Sequence, residues 1–269
     1  MTRTIMRTYF LLFFLLAFLL TGCPPSKETK KEETPPPVSV KPLNPEIIIK
    51  VASLNLGRFN KRIEADDVDR FAAIILRDTV DVLILHGITR YPDLPDRVDV
   101  VEELANRAAM RKVFGETITV SGRQGGNAVF STYPIVSNEN LHYANLRSSN
   151  FEAALQAMID CGAAQIVVIG TQLPENAMID DQSVVAGTLS SFNNLYINHP
   201  IIIGGNLPRT EAMRTVASYN DARPGKTDDA PRIWYSNDGS IRPVSARTER
   251  TNFGSMTVVN FGIFKEGNR

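Results

Sequence analysis

The sequence predicts an α/β domain with buried sheets between helical layers. Three observations carry that expectation: continuous β-branched apolar runs, stretches with apolar residues at helical spacing, and short connections that interleave the two. "EIIIKVASLNL" (46–56) opens the domain as a buried strand. "ADDVDRFAAIILRDTV" (65–80) sets Val68, Phe71, Ala72, Ile75 and Leu76 on one helical face, with acids at its start. "DVLILHGI" (81–88) is a second buried strand. "VDVVEELANRAAMRKVF" (98–114) repeats the helical spacing through Val98, Val101, Leu104, Ala105 and Ala108. "GETITVSG" (115–122) and "GNAVFSTYPI" (126–135) read as strands. "FEAALQAMID" (151–160) has a helical composition, yet its place before "CGAAQIVVI" allows a hairpin. "AQIVVIGTQL" (164–173) is a strand, and Val184, Val185, Leu189, Phe192 and Tyr196 mark a helix in "DQSVVAGTLSSFNNLYIN" (181–198). "PIIIGGN" (200–206), "PRIWYS" (231–236) and "MTVVNFGIF" (256–264) complete the pattern as strands.

Ahead of this domain stand two segments of different character. Residues 1–23, "MTRTIMRTYFLLFFLLAFLLTGC", place two arginines before a 12-residue apolar run, Tyr9 to Leu20, and small residues after it. That is the layout of a secretory signal. The run is short of the ~20 residues a spanning helix needs. Its end, "LTGC", resembles a bacterial lipobox, which implies that Cys23 receives lipid and becomes the new N-terminus. An ordinary signal peptide and an uncleaved signal anchor are the alternatives. The lipoprotein reading places the chain in a bacterial cell envelope, on the outer face of the inner membrane or on the outer membrane. Residues 24–46 hold seven of the 16 prolines among mixed Lys and Glu, with almost nothing apolar. Such a segment cannot build a core and is expected to be an extended tether, with the domain proper over 47–269.

The chain has 269 residues and a formal net charge of zero; loss of Arg3 and Arg7 with the signal leaves 27 basic against 29 acidic residues. Nothing in that balance suggests a nucleic-acid partner, which usually needs a basic face. With Cys23 lipidated, Cys161 has no internal partner, so the fold must stand on its core rather than on disulfides. Cys161 reads as a small buried hydrophobe.

The order of six stretches is the most informative feature of the domain. They are "VASLNLGRFN", "VDVLILHGITR", "GGNAVFSTYPI", "AQIVVIGTQLPE", "HPIIIGGNLP" and "PRIWYS". Together, from about Ile47 to Phe264, they resemble the endonuclease/exonuclease/phosphatase superfamily, the deoxyribonuclease I-like hydrolases. The resemblance implies a four-layered α/β sandwich, two face-to-face mixed sheets with helices outside. It implies Mg²⁺-assisted hydrolysis of phosphate esters, with carboxylates holding the metal and histidines managing protons.

Motif by motif, this chain keeps the framework and loses the charges. Asn55 matches the family's first strand-end asparagine. The family's metal-binding Glu corresponds to Gly87; its neighbour His86 is expected to point away, because adjacent strand residues face opposite sides. Asn127 is retained, Gln172 stands for a histidine, Asn206 for the water-positioning Asp, and Pro208 for an Asn. Trp234 replaces the Asp of the sixth motif. The terminal Ser-Asp-His falls near "RTNFGSMTVV", with Asn252 and Phe253 as its occupants.

Asn55, Gly87, Asn127, Gln172, Asn206, Pro208 and Trp234 thus define a pocket with no catalytic, cofactor or metal-binding residue. The expectation is a membrane-tethered, non-catalytic binding or scaffolding module whose partner is an unknown protein or a polar small molecule. The alternative is a divalent-metal-dependent phosphoric ester hydrolase, with Mg²⁺ as cofactor and a relocated site. Glu64, Asp66, Asp67, Asp81 and His142 are its available acids and imidazole.

Overall fold

The computed structural model describes residues 44–57, 62–93, 97–144, 146, 152–173, 177–207, 218–223 and 229–264. Cys23, Pro208 and residues 24–43 of the expected tether lie outside them. The first sheet contains β1 (Ile47–Asn55), β2 (Val82–Arg90), β3 (Arg111–Val120), β4 (Arg123–Ser131), β11 (Ile241–Thr251) and β12 (Gly254–Ile263). Its order is β11-β12-β1-β2-β4-β3. The second contains β5 (Ile135–His142), β6 (Ala153–Asp160), β7 (Gln165–Gln172), β8 (Ile201–Asn206), β9 (Tyr219–Asp221) and β10 (Arg232–Ser236), in the order β5-β6-β7-β8-β10-β9.

Both sheets follow one plan. Each has a single parallel pair at its centre, β1–β2 in the first and β7–β8 in the second, with antiparallel neighbours outward. A parallel pair needs a crossover, and a helix supplies each. Helix α1 (Ala65–Arg77) joins β1 to β2, and α3 (Ile179–Leu195) joins β7 to β8. Helix α2 (Val100–Arg107) packs beside α1 on the first sheet.

Three apolar clusters separate four layers. Val68, Phe71, Ile75 and Leu104 of the helices meet Leu54, Leu83 and Phe130 on the outer face of the first sheet. Val51, Ile84 and Val129 meet Val168 and Ile202 between the sheets. Val185, Leu189 and Phe192 of α3 cover Val167, Ile169 and Ile203. Successive strand residues divide between clusters, as the pleat requires.

Several local expectations are corrected. "FEAALQAMID" is strand from Ala153, because β5 and β7 flank it and satisfy its backbone on both edges; helical composition loses to tertiary pairing. Leu76 is 54% exposed rather than on the buried face of α1. The third strand begins at Arg111, four residues before "GETITVSG", because β4 pairs with that whole length. Strands β5 and β11 carried no sequence signal.

Candidate functional site

The carboxyl ends of the two parallel pairs lie at the same end of the sandwich, where α/β sheets usually hold ligands. Asn55 pairs with His86 there, and Gln172 with Asn206. Alternation decides which way each side chain faces. Val51, Val168, Ile202 and Val129 lie in the inter-sheet cluster, so Asn55, Gln172, Asn206 and Asn127 face the same space. Asn55, Gln172 and Asn206 are half-buried at its mouth, and Asn127 is fully buried below. The sequence-predicted residues are therefore brought together from four strands.

Glycines let the sheets approach here. A Cβ on Gly204 would sit 2.6 Å from Ile84 Cδ1 and 3.1 Å from Ser53 Oγ, and one on Gly170 would meet Ile84 Cγ2 at 3.0 Å. Ile84 thus fills the floor beneath the amides, and the glycines of "IIGGN" serve packing as well as the turn.

His86 departs from expectation. The β2–β4 register shifts between Leu85 and Ile88, which leaves His86 and Gly87 opposite Asn127 in a bulge, with Gly87 at φ 61°. A bulge breaks strict alternation. His86 follows Val82 and Ile84 onto the inter-sheet side, while Ile88 packs under the helices. Its Nε2 lies 2.9 Å from Ser53 Oγ, and the ring is fully buried. Burial holds its pKa far below the usual value, at about 3, so it is neutral at pH 7 and sealed from solvent. Gly87 lines a separate niche with Leu56, Gly57 and Thr89, of about 10 Å³, room for one water at most.

The remaining positions are used otherwise. Asn55 Oδ1 accepts from the Gly57 amide at 3.0 Å, and Asn127 Nδ2 donates to the Ala153 carbonyl at 3.1 Å, tying the sheets together. Trp234 is buried on the α3 side of the second sheet, away from the cleft. Phe253 stacks edge-on against Phe71 at 5.5 Å, and Asn252 Nδ2 donates to the Asp67 carbonyl at 3.2 Å. The β11–β12 turn therefore docks on α1. Glu64 and Asp67 form the capping box of that helix, and Asp66 lies in its first turn. Asp81 accepts from the Lys50 amide at the opposite end of the strands, and its carboxyl is raised by burial. His142 contacts Asn140 at the exposed end of β5.

Sequence reasoning missed Ser53, Thr257 and Arg223. Ser53 pairs with Thr257 across β1 and β12, and Arg223 Nη1 donates to Thr257 Oγ1 at 3.1 Å. Ser53 was legible from alternation, being two residues before Asn55. Arg223 follows a three-residue strand and gave no signal.

The donor set does not suit Mg²⁺. That ion wants hard anionic oxygens, and the cleft offers neutral amides, a glycine and a sealed imidazole. Among the described residues, no group of three or more His, Cys, Asp or Glu is placed to hold a metal.

No protein-family model matches the sequence, and no curated protein is detectably similar to it. Solved structures are similar in fold. An endonuclease/exonuclease/phosphatase from Beutenbergia cavernae superposes with a TM-score of 0.62 at 16% identity, covering 81% of this chain and 72% of that one. The human Nocturnin catalytic domain, solved with bound sulfate, gives 0.62 at 17%, covering 82% and 96%. The endonuclease/exonuclease/phosphatase from Bacteroides vulgatus gives 0.62 at 9%, covering 81% and 100%. The four-layered sandwich is thus the deoxyribonuclease I-like fold that the ordered motifs implied.

Proposed function

We propose that this chain is a non-catalytic binding module with an endonuclease/exonuclease/phosphatase-like domain, held to a bacterial membrane through lipid on Cys23. One observation carries the loss of catalysis: each strand end that faces the cleft bears a neutral side chain. Asn55, Gln172 and Asn206 line the mouth, and the buried imidazole of His86 is spent on Ser53. Cooperating catalytic groups lose most of their rate with the first member removed. The cleft retains hydrogen-bonding amides, which position a ligand and supply neither a charged metal ligand nor a proton shuttle.

The expected result is no Mg²⁺- or Ca²⁺-dependent turnover of phosphodiesters or phosphomonoesters, and no resolvable heat in a calorimetric Mg²⁺ titration. Turnover by pure protein that Asn206→Ala abolishes would overturn the reading. The anchor rests on the "LTGC" resemblance and the proline-rich stretch after it. Cys23→Ser is expected to move the chain from the membrane to the soluble fraction; unchanged sedimentation with membranes would refute lipidation.

A further inference from the structure

The other end of the second sheet, where β7 and β8 begin and β10 ends, carries two cavities of about 360 and 290 Å³. His199 forms part of the wall of both, so they make one groove around its ring. Their size is that of small-molecule sites, roughly 300 Å³ and upward. We propose that this groove binds a neutral glycan carrying acetamido groups.

The lining supports that class. No Lys or Arg lines either cavity, and the carboxylates present are Asp238 and Glu46. An anionic ligand would therefore meet no counter-charge. The larger cavity offers the amides of Asn194 and Asn237 and the hydroxyls of Ser218 and Ser236. Amide and hydroxyl groups donate and accept at once, which matches hydroxyls and acetamido groups on a sugar. The polar walls are held in place. Asn237 Oδ1 accepts from Asn220 Nδ2 at 2.8 Å, Asp238 Oδ1 from the Ser240 amide at 2.8 Å, and Ser236 Oγ from the Ile201 amide at 3.1 Å. Side chains fixed beforehand lose less entropy on binding.

Two further observations point the same way. The Tyr196 ring stacks on Phe192 at 6.2 Å and meets His199 edge-on at 6.3 Å, and Ile197 beside it is 69% exposed. These residues give the groove an apolar platform for the C–H face of a pyranose ring. Ser218, on the wall of the larger cavity, is held at φ 58°, in the left-handed region that non-glycine residues adopt at a cost. Such strain concentrates where ligands are clamped. The proposal is independent of whether the cleft at the opposite end is inert.

The test is titration of the full chain in detergent with tri-N-acetylchitotriose, read by calorimetry and NMR. Saturable binding is expected. Asn194→Trp, at an exposed rim position, and Tyr196→Ala are each expected to weaken it roughly tenfold or more. Ser183→Trp, on α3 but outside the groove, is expected to leave it unchanged. If Tyr196→Ala fails to fold, Asn194→Trp decides alone. No binding by the wild-type chain at roughly 10 mM ligand, equal affinity in Asn194→Trp, or displacement of the trisaccharide by inorganic phosphate would each overturn the proposal.

Discussion

His86 illustrates how one inserted residue changes a side chain's role. The alternation rule sent it away from the inter-sheet space; the bulge at Gly87 brought it in. It is neutral when folded, with a pKa of about 3 set by burial, against about 6.5 in an unfolded chain. The sign follows: below pH 6.5 the unfolded chain takes up a proton that the folded chain refuses, so stability falls as pH drops toward 3. The slope from this group is on the order of one proton, so the effect grows with each unit of acidification. Carboxylates titrate in part of the same window, so the comparison must be between variants. His86→Gln is expected to lose stability at pH 7, where the ring is well packed, and to close that gap as pH falls to 4.5. Urea midpoints measured at both pH values check this; a gap independent of pH refutes it. At Gly87, the left-handed φ makes any side chain costly. Gly87→Glu is expected to lose about 1–2 kcal/mol in urea denaturation and to gain no tight Mg²⁺ binding by calorimetry, because the other strand ends remain neutral.

At the scale of elements, legibility followed burial on both faces. β1, β2, β7 and β8 are central, so both faces meet apolar layers and the sequence shows unbroken apolar runs. Strand β5 lies at a sheet edge and is mostly exposed, and β11, also an edge, pairs along its length with β12. Their polar sequences advertise no strand, since the order comes from the neighbour. The candidate site was legible where alternation is unbroken, at Asn55, Gln172 and Asn206, and illegible where a bulge or a loop intervenes, at His86 and Arg223. The glycines separate on similar grounds. A Cβ on Gly205 would lie 1.9 Å from the Thr171 carbonyl oxygen, an atom of the neighbouring strand that cannot withdraw without breaking the ladder. Gly205→Ala is expected to cost about 3 kcal/mol. A Cβ on Gly187, within α3, meets nothing within 4 Å. Gly187→Ala is expected to stabilise by about 1 kcal/mol, the ordinary helix-propensity gain. Denaturation midpoints of the two variants should move in opposite directions; a shift in the same direction would contradict this account of the glycines.

The whole molecule stands on three apolar clusters without a disulfide, and Cys161 reports on the middle one. It is 5% exposed and packs with Ile84, Ile159, Ile166 and Phe261 between the sheets. Burial pushes its thiol up to about 12, with Asp81 and Asp160 adding to the effect, so it is protonated and unreactive in the folded chain. Reaching it requires the two sheets to part, because the cluster includes both. In the Cys23→Ser chain Cys161 is the sole thiol. Its labelling by an aromatic disulfide is therefore expected to track global unfolding, with the rate rising with urea as the slope for complete denaturation demands. A reducing agent is expected to leave the melting temperature unchanged. Fast labelling without denaturant, or a urea dependence much shallower than that of global unfolding, would mean that the sheets separate locally. In that case the inter-sheet cleft above them would not be the rigid, amide-lined mouth from which a binding role is argued.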